Sequence, residues 1–216
     1  MTGEPQFTVV KLGGSLLRQA DWHQRLAVWL AGRPTGRCHV MIVGGGAAAD
    51  AVREADRLDN LGDEQSHWLA IEAMQANLTP AAARFPQSPI CRCLRQIRQV
   101  RQPAELVWFD PLPLLRRERP WRGLPPLPRS WDVTSDSIAA RVACRLGRAE
   151  LVLLKSDLPP AAGSLVNWAA CGYVDAYFPQ AAATLSGLMV DLAAPAQPQV
   201  AWRGSDSSGQ LTTHSY

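Results

Sequence analysis

One pattern, present twice near the start of the chain, constrains the fold more than any other feature. Thr8-Val9-Val10-Lys11-Leu12 is β-branched and apolar and stops on Gly13-Gly14-Ser15, and His39-Val40-Met41-Ile42-Val43 stops on Gly44-Gly45-Gly46. A short apolar run that ends on glycines reads as a strand buried on both faces and closed by a tight turn. After each turn the apolar residues switch to helical spacing. The first helix is predicted over roughly Leu16 to Leu30, and the second carries Ala51, Val52, Ala55 and Leu58 on one side. Strands that alternate with helices pair into a mainly parallel sheet covered on both faces. The fold class is therefore α/β.

The rest of the chain continues the alternation. Helices are predicted from about Glu64 to Leu78 and from Asp136 to Leu146, with strands at Leu106–Phe109, Leu151–Leu154 and near Leu188–Val190. Residues 111–131 carry six prolines, which argues for an extended surface loop. The 216 residues suit one domain, with a core over about 8–192 and a mobile tail over 205–216. No internal repeat is visible.

Composition removes several function classes. With 47% hydrophobic and 19% charged residues the chain can bury a core. Mean hydropathy is −0.10, and no apolar run approaches the roughly 18 residues of a membrane span. The start lacks the basic and apolar regions of a signal peptide. A cytoplasmic protein with no membrane partner is expected. Five cysteines, an odd and scattered set, fit reduced thiols. Cys91 and Cys93 have no second pair at metal-ligand spacing, so no metal site is assigned. A net charge of +3 gives no reason to expect nucleic acid. Nine of the arginines fall between Cys91 and Arg129 against three acids, a local excess that suits a solvated face, an oligomer contact or attraction of a phosphorylated ligand.

The basic residues divide unevenly. Twenty of the 22 are arginines, and the only lysines are Lys11 and Lys155. Both lie at the carboxyl end of an apolar strand. A compact ammonium with three rotatable donors differs from a planar fork, so lysine retained in an arginine-rich chain marks a position with its own requirement. Lys11 precedes Gly13-Gly14-Ser15, and uncovered amides at a helix start favour an anion. Gly44-Gly45-Gly46 repeats the cradle without a lysine. Asp136 opens the helix after Trp131-Asp132-Val133-Thr134-Ser135, where it is either a helix-start acid behind a Thr134 or Ser135 cap or a partner for the lysines. Two ammonium groups, one acid and two anion cradles are the parts that phosphoryl transfer needs. The P-loop order is absent, because Lys11 comes before its glycines.

VVKLGGS (9–15), IVGGG (42–46), TSDSIAARVA (134–143) and LVLLKSD (151–157), in that order, resemble the amino acid kinase superfamily. DEQSHWLAIEAM (63–74), SWDVTSDSIAA (130–140) and VDAYFP (174–179) are most similar to its short branch of [5-(aminomethyl)furan-3-yl]methyl phosphate kinases. The resemblance implies a three-layer αβα sandwich, ATP with Mg²⁺ as donor, and a phosphate monoester acceptor converted to a diphosphate in methanofuran-type one-carbon cofactor biosynthesis. It implies that Lys11 contacts the transferring phosphoryl group, that Asp136 organises the lysines, and that Lys155 neutralises charge from the other side. Gly13, Gly14, Ser15, Ser156 and Asp157 fall on the nucleotide side. Gly44, Gly45, Gly46 and Ser135 fall on the acceptor side. A homo-oligomer is expected on the same ground.

Ala48 stands where the isopentenyl phosphate branch has a histidine, and no arginine follows Gly46 closely as in uridylate kinases. Other acceptors (a carboxylate, a carbamate, UMP, isopentenyl phosphate) and a non-catalytic nucleotide- or oxyanion-binding protein are the alternatives. For an aminomethyl group the candidate neighbours are Asp50, Glu54, Asp59, Asp63 and Trp131. His67 is either a structural histidine or a substrate contact, and Trp22, Trp29 and Trp68 are predicted in the core or at a subunit interface.

Overall fold

The computed structural model describes residues 7–100, 106–147, 149–160, 163–194, 199–204 and 213–214. In chain order the elements are β1 (Phe7–Leu12), a 3-10 turn (Gly14–Arg18), α1 (Trp22–Ala31), β2 (Cys38–Val43), α2 (Gly46–Asp59), α3 (Asp63–Ala82), β3 (Ile90–Cys91), α4 (Leu94–Gln99), β4 (Leu106–Phe109), α5 (Leu112–Arg116), α6 (Ser135–Leu146), β5 (Ala149–Lys155), α7 (Leu165–Ala170), α8 (Phe178–Ala181), β6 (Ser186–Asp191), β7 (Gln199–Arg203) and β8 (Thr213–His214). The strands form one sheet in the order β3-β4-β2-β1-β5-β6-β7-β8. The first six are parallel, and β7 and β8 add an antiparallel edge.

Strand alternation builds two cores from one sheet. Val9, Val40, Ile42, Leu151, Leu153 and Met189 pack under α6, α7 and α8, against Ile138, Val142, Trp168 and Phe178. Val10, Leu12, Met41, Val43, Val152 and Leu154 pack on the other face against Trp22, Leu26 and Trp29 of α1 and Leu78 and Ala81 of α3. This is the three-layer sandwich, and it explains why the strands read as unbroken apolar runs: neither face meets water. Each such Leu or Val, once buried, contributes about 1.5–3 kcal/mol.

The structure departs from the sequence reading at three places. The first helix is not continuous from Leu16, because the 3-10 turn ends at Arg18 and the chain is extended at Gln19 before α1 begins. Arg25 holds the break by donating to Asp21 Oδ2 at 2.8 Å and Gln19 Oε1 at 3.0 Å. The proline-rich stretch is not wholly extended, since it opens with α5. Pro113 falls in the first turn of α5, where a helix needs no N–H donor. Two buried carboxylates then pin this stretch: Asp110 accepts from Gln75 Nε2 at 2.7 Å and from Leu112 N at 3.0 Å, and Glu118 pairs with Arg141 at 3.4 Å. The tail expected to be mobile lies largely outside the described residues, but Thr213–His214 pairs with β7 as an edge strand.

Cys91 belongs to β3 and Cys93 caps α4, so the pair serves local structure. No disulfide links the cysteines among the described residues. Trp22 and Trp29 are core residues. Trp68 is half-buried, with the guanidinium groups of Arg116 and Arg129 at 4.4 and 5.3 Å from its ring. Among the described residues no helix is long and apolar enough to cross a membrane.

Candidate functional site

The sheet register brings the two lysines together. Lys11 is paired with Leu153 across β1 and β5, so Lys155 lies one same-face step further along its strand. Val9, Leu151 and Leu153 face the α6 layer, and by alternation both lysines face it too. There they meet Asp136 in the first turn of α6. Lys11 Nζ lies 3.0 Å from Asp136 Oδ1, and Lys155 Nζ lies 2.9 Å from Oδ2. All three are largely withdrawn from water, with side-chain exposures of 8%, 14% and 5% for Lys11, Lys155 and Asp136.

Asp136 alone balances one of the two ammonium groups, and the buried Asp175 carboxylate, which also acts on Lys155, offsets the other. Burial pushes the Asp136 carboxyl up, but Lys11 and then Lys155 outweigh it and hold it at about 2. Burial pulls the Lys155 ammonium below the ordinary lysine value of 10.5. Asp136 opposes that shift, and Lys11 reinforces it.

Two residues outside the expected set organise this cluster. Neither Thr134 nor Ser135 caps α6 with its side chain, a correction to the sequence reading. Asp175 does so from a distant loop, accepting from Thr134 N at 3.0 Å, Thr134 Oγ1 at 2.9 Å, Ser137 N at 2.9 Å and the Ser137 hydroxyl. Burial raises its pKa, and the Asp136 charge adds to the rise. Tyr173 holds Lys155: its carbonyl accepts from Nζ, its ring lies 4.7 Å from the ammonium, and its hydroxyl donates to Asp157 O at 2.9 Å.

The glycines have a structural requirement that the sequence did not suggest. A Cβ on Gly14 would lie 2.1 Å from Gly46 N, and one on Gly44 would lie 2.8 Å from Gly14 N. The two glycine turns are nested against each other, and any side chain would drive them apart. Gly13 N donates to Leu154 O and Gly44 N to Leu12 O, so these two amides continue the sheet and are not donors to a ligand. The second turn is held from behind by Asn77 of α3, whose Nδ2 donates to Gly44 O at 2.9 Å and Gly45 O at 2.8 Å. A trans peptide points its N–H opposite its C=O, so the Gly45 and Gly46 amides turn away from α3. Gly45 is right-handed (φ −71°, ψ −25°) and Gly46 has φ +50°. That succession forms a backbone nest suited to an anion.

A cleft of about 210 Å³ opens beside the nest. Gly14, Ser15, Gly44, Gly45, Gly46 and Ser135 form its polar end. Ile71, Met74, Val133 and Ile138 give it an apolar floor, with Arg18, Asp50, Arg53, His67 and Trp131 around it. His67 Nδ1 is 3.3 Å from Ser130 O, and burial lowers its pKa. Of the acids and aromatics considered for an amine, Asp50 and Trp131 line the cleft. Glu54 pairs with Arg57 at 2.7 Å, and Asp59 and Asp63 do not reach it. Ser156 and Asp157 continue past Lys155 at the end of β5, outside this cleft.

The structure thus gathers Lys11, Asp136, Lys155, the nested turns and Ser135 at the carboxyl ends of the strands. Asp175, Tyr173, Asn77 and Arg18 were not legible as site residues. VDAYFP did mark the segment of Asp175, without indicating its role as a cap.

With this geometry in hand, comparison with known proteins is informative at the level of fold. No family model matches the chain, and no curated protein matches it in sequence. Among solved structures, the UMP kinase from Bacillus anthracis is similar with a TM-score of 0.59 at 10% identity, over 88% of this chain and 89% of that one. The UMP kinase from Ureaplasma parvum is similar with a TM-score of 0.59 at 14% identity, over 89% of this chain and 92% of that one. The chain shares the fold of these UMP kinases. At such identities the likeness is one of architecture, and function must be argued from the site.

Proposed function

We propose that this protein is a small-molecule kinase that transfers the γ-phosphoryl group of ATP to a phosphate monoester, with [5-(aminomethyl)furan-3-yl]methyl phosphate as the favoured acceptor and a diphosphate as product. One observation carries the reading. A buried carboxylate, Asp136, holds two ammonium groups at the ends of adjacent strands, and its chain neighbour Ser135 lines the cleft with Gly45 and Gly46, although the three charged residues do not themselves line it.

Phosphoryl transfer needs positioning and neutralisation of charge spread over the transferring group. Lys11 and Lys155, fixed by Asp136, supply positive charge whose geometry is set before any ligand arrives. Gly14 and Ser15 offer the nucleotide side of the nested turns, and Ser156 and Asp157 extend that side beyond Lys155. The nest and Ser135 offer the acceptor side. Among the described residues no three His, Cys, Asp or Glu side chains gather as a metal cage. Mg²⁺ enters this reading on the phosphates of the nucleotide, where it would add further neutralising charge.

Support for a phosphate acceptor comes from the anion nest and from the shared fold with enzymes named for UMP. Support for the furan acceptor comes from where the three resembling segments fall. Residues 63–74 and 130–140 supply much of the cleft wall, and 174–179 contains Asp175.

The test is ³¹P NMR of the purified protein with Mg-ATP and four acceptors: the furan-methyl phosphate, isopentenyl phosphate, UMP and glutamate. New diphosphate doublets with the furan compound are expected. A hydroxamate-trappable product from glutamate would replace the acceptor class with a carboxylate. Tight ATP binding without turnover on any acceptor would overturn the kinase reading in favour of a binding protein.

A further inference from the structure

Beyond the inner cleft lies a second, shallower groove of about 660 Å³, lined by Asp50, Arg53, Glu54, Asp56, Arg57, Asn60 and Trp131. The two spaces share Asp50, Arg53 and Trp131. Trp131 comes from the end of the proline-rich stretch, and α2 holds it in place. Its indole N–H donates to Asp56 Oδ2 at 2.8 Å, and the Arg53 guanidinium lies 4.5 Å from its ring. Arg53 in turn pairs with Asp50 at 3.4 Å. Asp50, Arg53 and Asp56 are spaced three residues apart on α2, so Arg53 and Asp56 meet the ring while Asp50 steadies Arg53 from the same helix. Asp56 is itself oriented by Gly62 N at 3.1 Å, where α2 passes into α3.

We infer that Trp131, pinned by Asp56 and covered by Arg53, is the wall that limits acceptor length, so that the site takes a short phosphate monoester and rejects a nucleoside monophosphate. This deepens the reading of the nest as the acceptor's phosphate site and rests on it. With the phosphate at Gly45 and Gly46, the body of the acceptor lies along Ile71, Met74 and Val133 and stops at Trp131. Drug-sized ligands occupy pockets of about 300–1,000 Å³. The inner cleft falls below that range, and the inner cleft joined to the outer groove falls within it. A single small ring fits the first space. A ribose with its base needs both. The architecture shared with UMP kinases therefore does not carry over to UMP as acceptor, because a side chain contributed by this chain's own loop closes the path.

The experiment compares the full-length wild-type protein with Trp131→Ala and Trp131→Phe. Each is titrated with the furan-methyl phosphate and with UMP, reading affinity by ligand-observed NMR and ADP release with Mg-ATP. Trp131 is half-buried at the cleft rim, so the alanine variant is expected to fold, and circular dichroism checks this. In the wild type, UMP is expected to bind at least about tenfold more weakly than the short phosphate. Trp131→Ala should reverse or abolish that preference by gaining UMP affinity. Trp131→Phe keeps a ring but loses the bond to Asp56, and should fall between the two. Equal affinities in the wild type, or equal changes for both ligands in Trp131→Ala, would overturn the wall. Size-selective binding without ADP release would keep the wall and sink the kinase reading. Failure to bind either phosphate would sink both.

Discussion

The two ends of β1 and β5 carry clusters of the same stoichiometry in different surroundings. At the starting ends, Glu150 Oε2 holds Arg33 at 2.7 Å and Arg37 at 3.1 Å, with Thr8 beside it. At the finishing ends, Asp136 holds Lys11 and Lys155 at 3.0 and 2.9 Å. Each is one carboxylate between two cations. The differences lie in cation type and surroundings. The Glu150 cluster uses planar guanidinium forks, and Arg33 also stacks on Trp29 at 5.2 Å. The Asp136 cluster uses point charges and adjoins two nested glycine turns whose amides have no side chain over them. Charge pairing alone does not make a site. In the proposed reading, what makes a site is charge placed at the same strand ends as an anion cradle.

That comparison can be broken most directly at the carboxylates. Asp136→Ala leaves two ammonium groups facing each other in a buried place, and should cost about 3–5 kcal/mol in stability. It should also lower turnover by about 10²-fold or more. Glu150→Ala should lower the melting temperature, at a cost of about 1–3 kcal/mol, and leave turnover intact. Denaturant unfolding and ADP release read both effects. Equal losses of turnover from the two variants would erase the distinction drawn here.

The cation type is tested next. Lys11→Arg should lower turnover by about 10²-fold, because a planar fork cannot take the place of the ammonium between Asp136 and the cradle. Arg33→Lys at the other end should change turnover by less than about twofold, while lowering stability by about 1 kcal/mol or more through loss of the fork and of its stacking on Trp29. Full activity in Lys11→Arg would remove the argument from lysine rarity.

A pH profile gives a smaller signal of fixed sign. The folded-state pKa of Lys155 lies below its ordinary 10.5, so turnover that needs its ammonium should fall before pH reaches that value. The unfolded chain binds this proton more tightly than the folded one, so the same group makes stability rise with pH across that window. Lys155→Arg, which does not titrate there, should remove the alkaline limb at whatever rate remains. Asp136 acts oppositely in acid: its contribution is present above about 3.8 and is lost as pH falls through about 2. An alkaline limb unchanged in Lys155→Arg would assign it to another group.

The smallest effect belongs to Tyr173. Tyr173→Phe keeps the ring and the carbonyl that hold Lys155 and loses only the bond to Asp157 O, at a cost of about 1 kcal/mol and no change in turnover. A large loss of turnover would show that the hydroxyl does more than brace the loop.

Much of this was legible in the chain because it depends on local periodicity. Apolar runs buried on both faces announce parallel strands, and glycines after them announce turns at the end where ligands bind. Lys11 and Lys155 stood out because arginine fills nearly every other basic position. Other features were not legible, for equally physical reasons. The bend between Arg18 and Trp22 depends on Arg25 folding back onto Gln19 and Asp21. The cap of α6 comes from Asp175, 41 residues after Thr134 in the chain. Asn77 reads as an ordinary helix residue until α3 lies behind the Gly44 turn.

Composition and periodicity were enough to establish the layered α/β architecture, the strands that end on glycines and the two lysines at strand ends. Each of these follows from which side chains must leave water and from the short-range preferences of the backbone. The meeting of Lys11 with Lys155 across 144 residues, the interlocking of Gly14 with Gly46, and the placing of Trp131 between two spaces required the folded sheet. Those relations are set by strand register and helix packing, which join distant segments according to shape and charge.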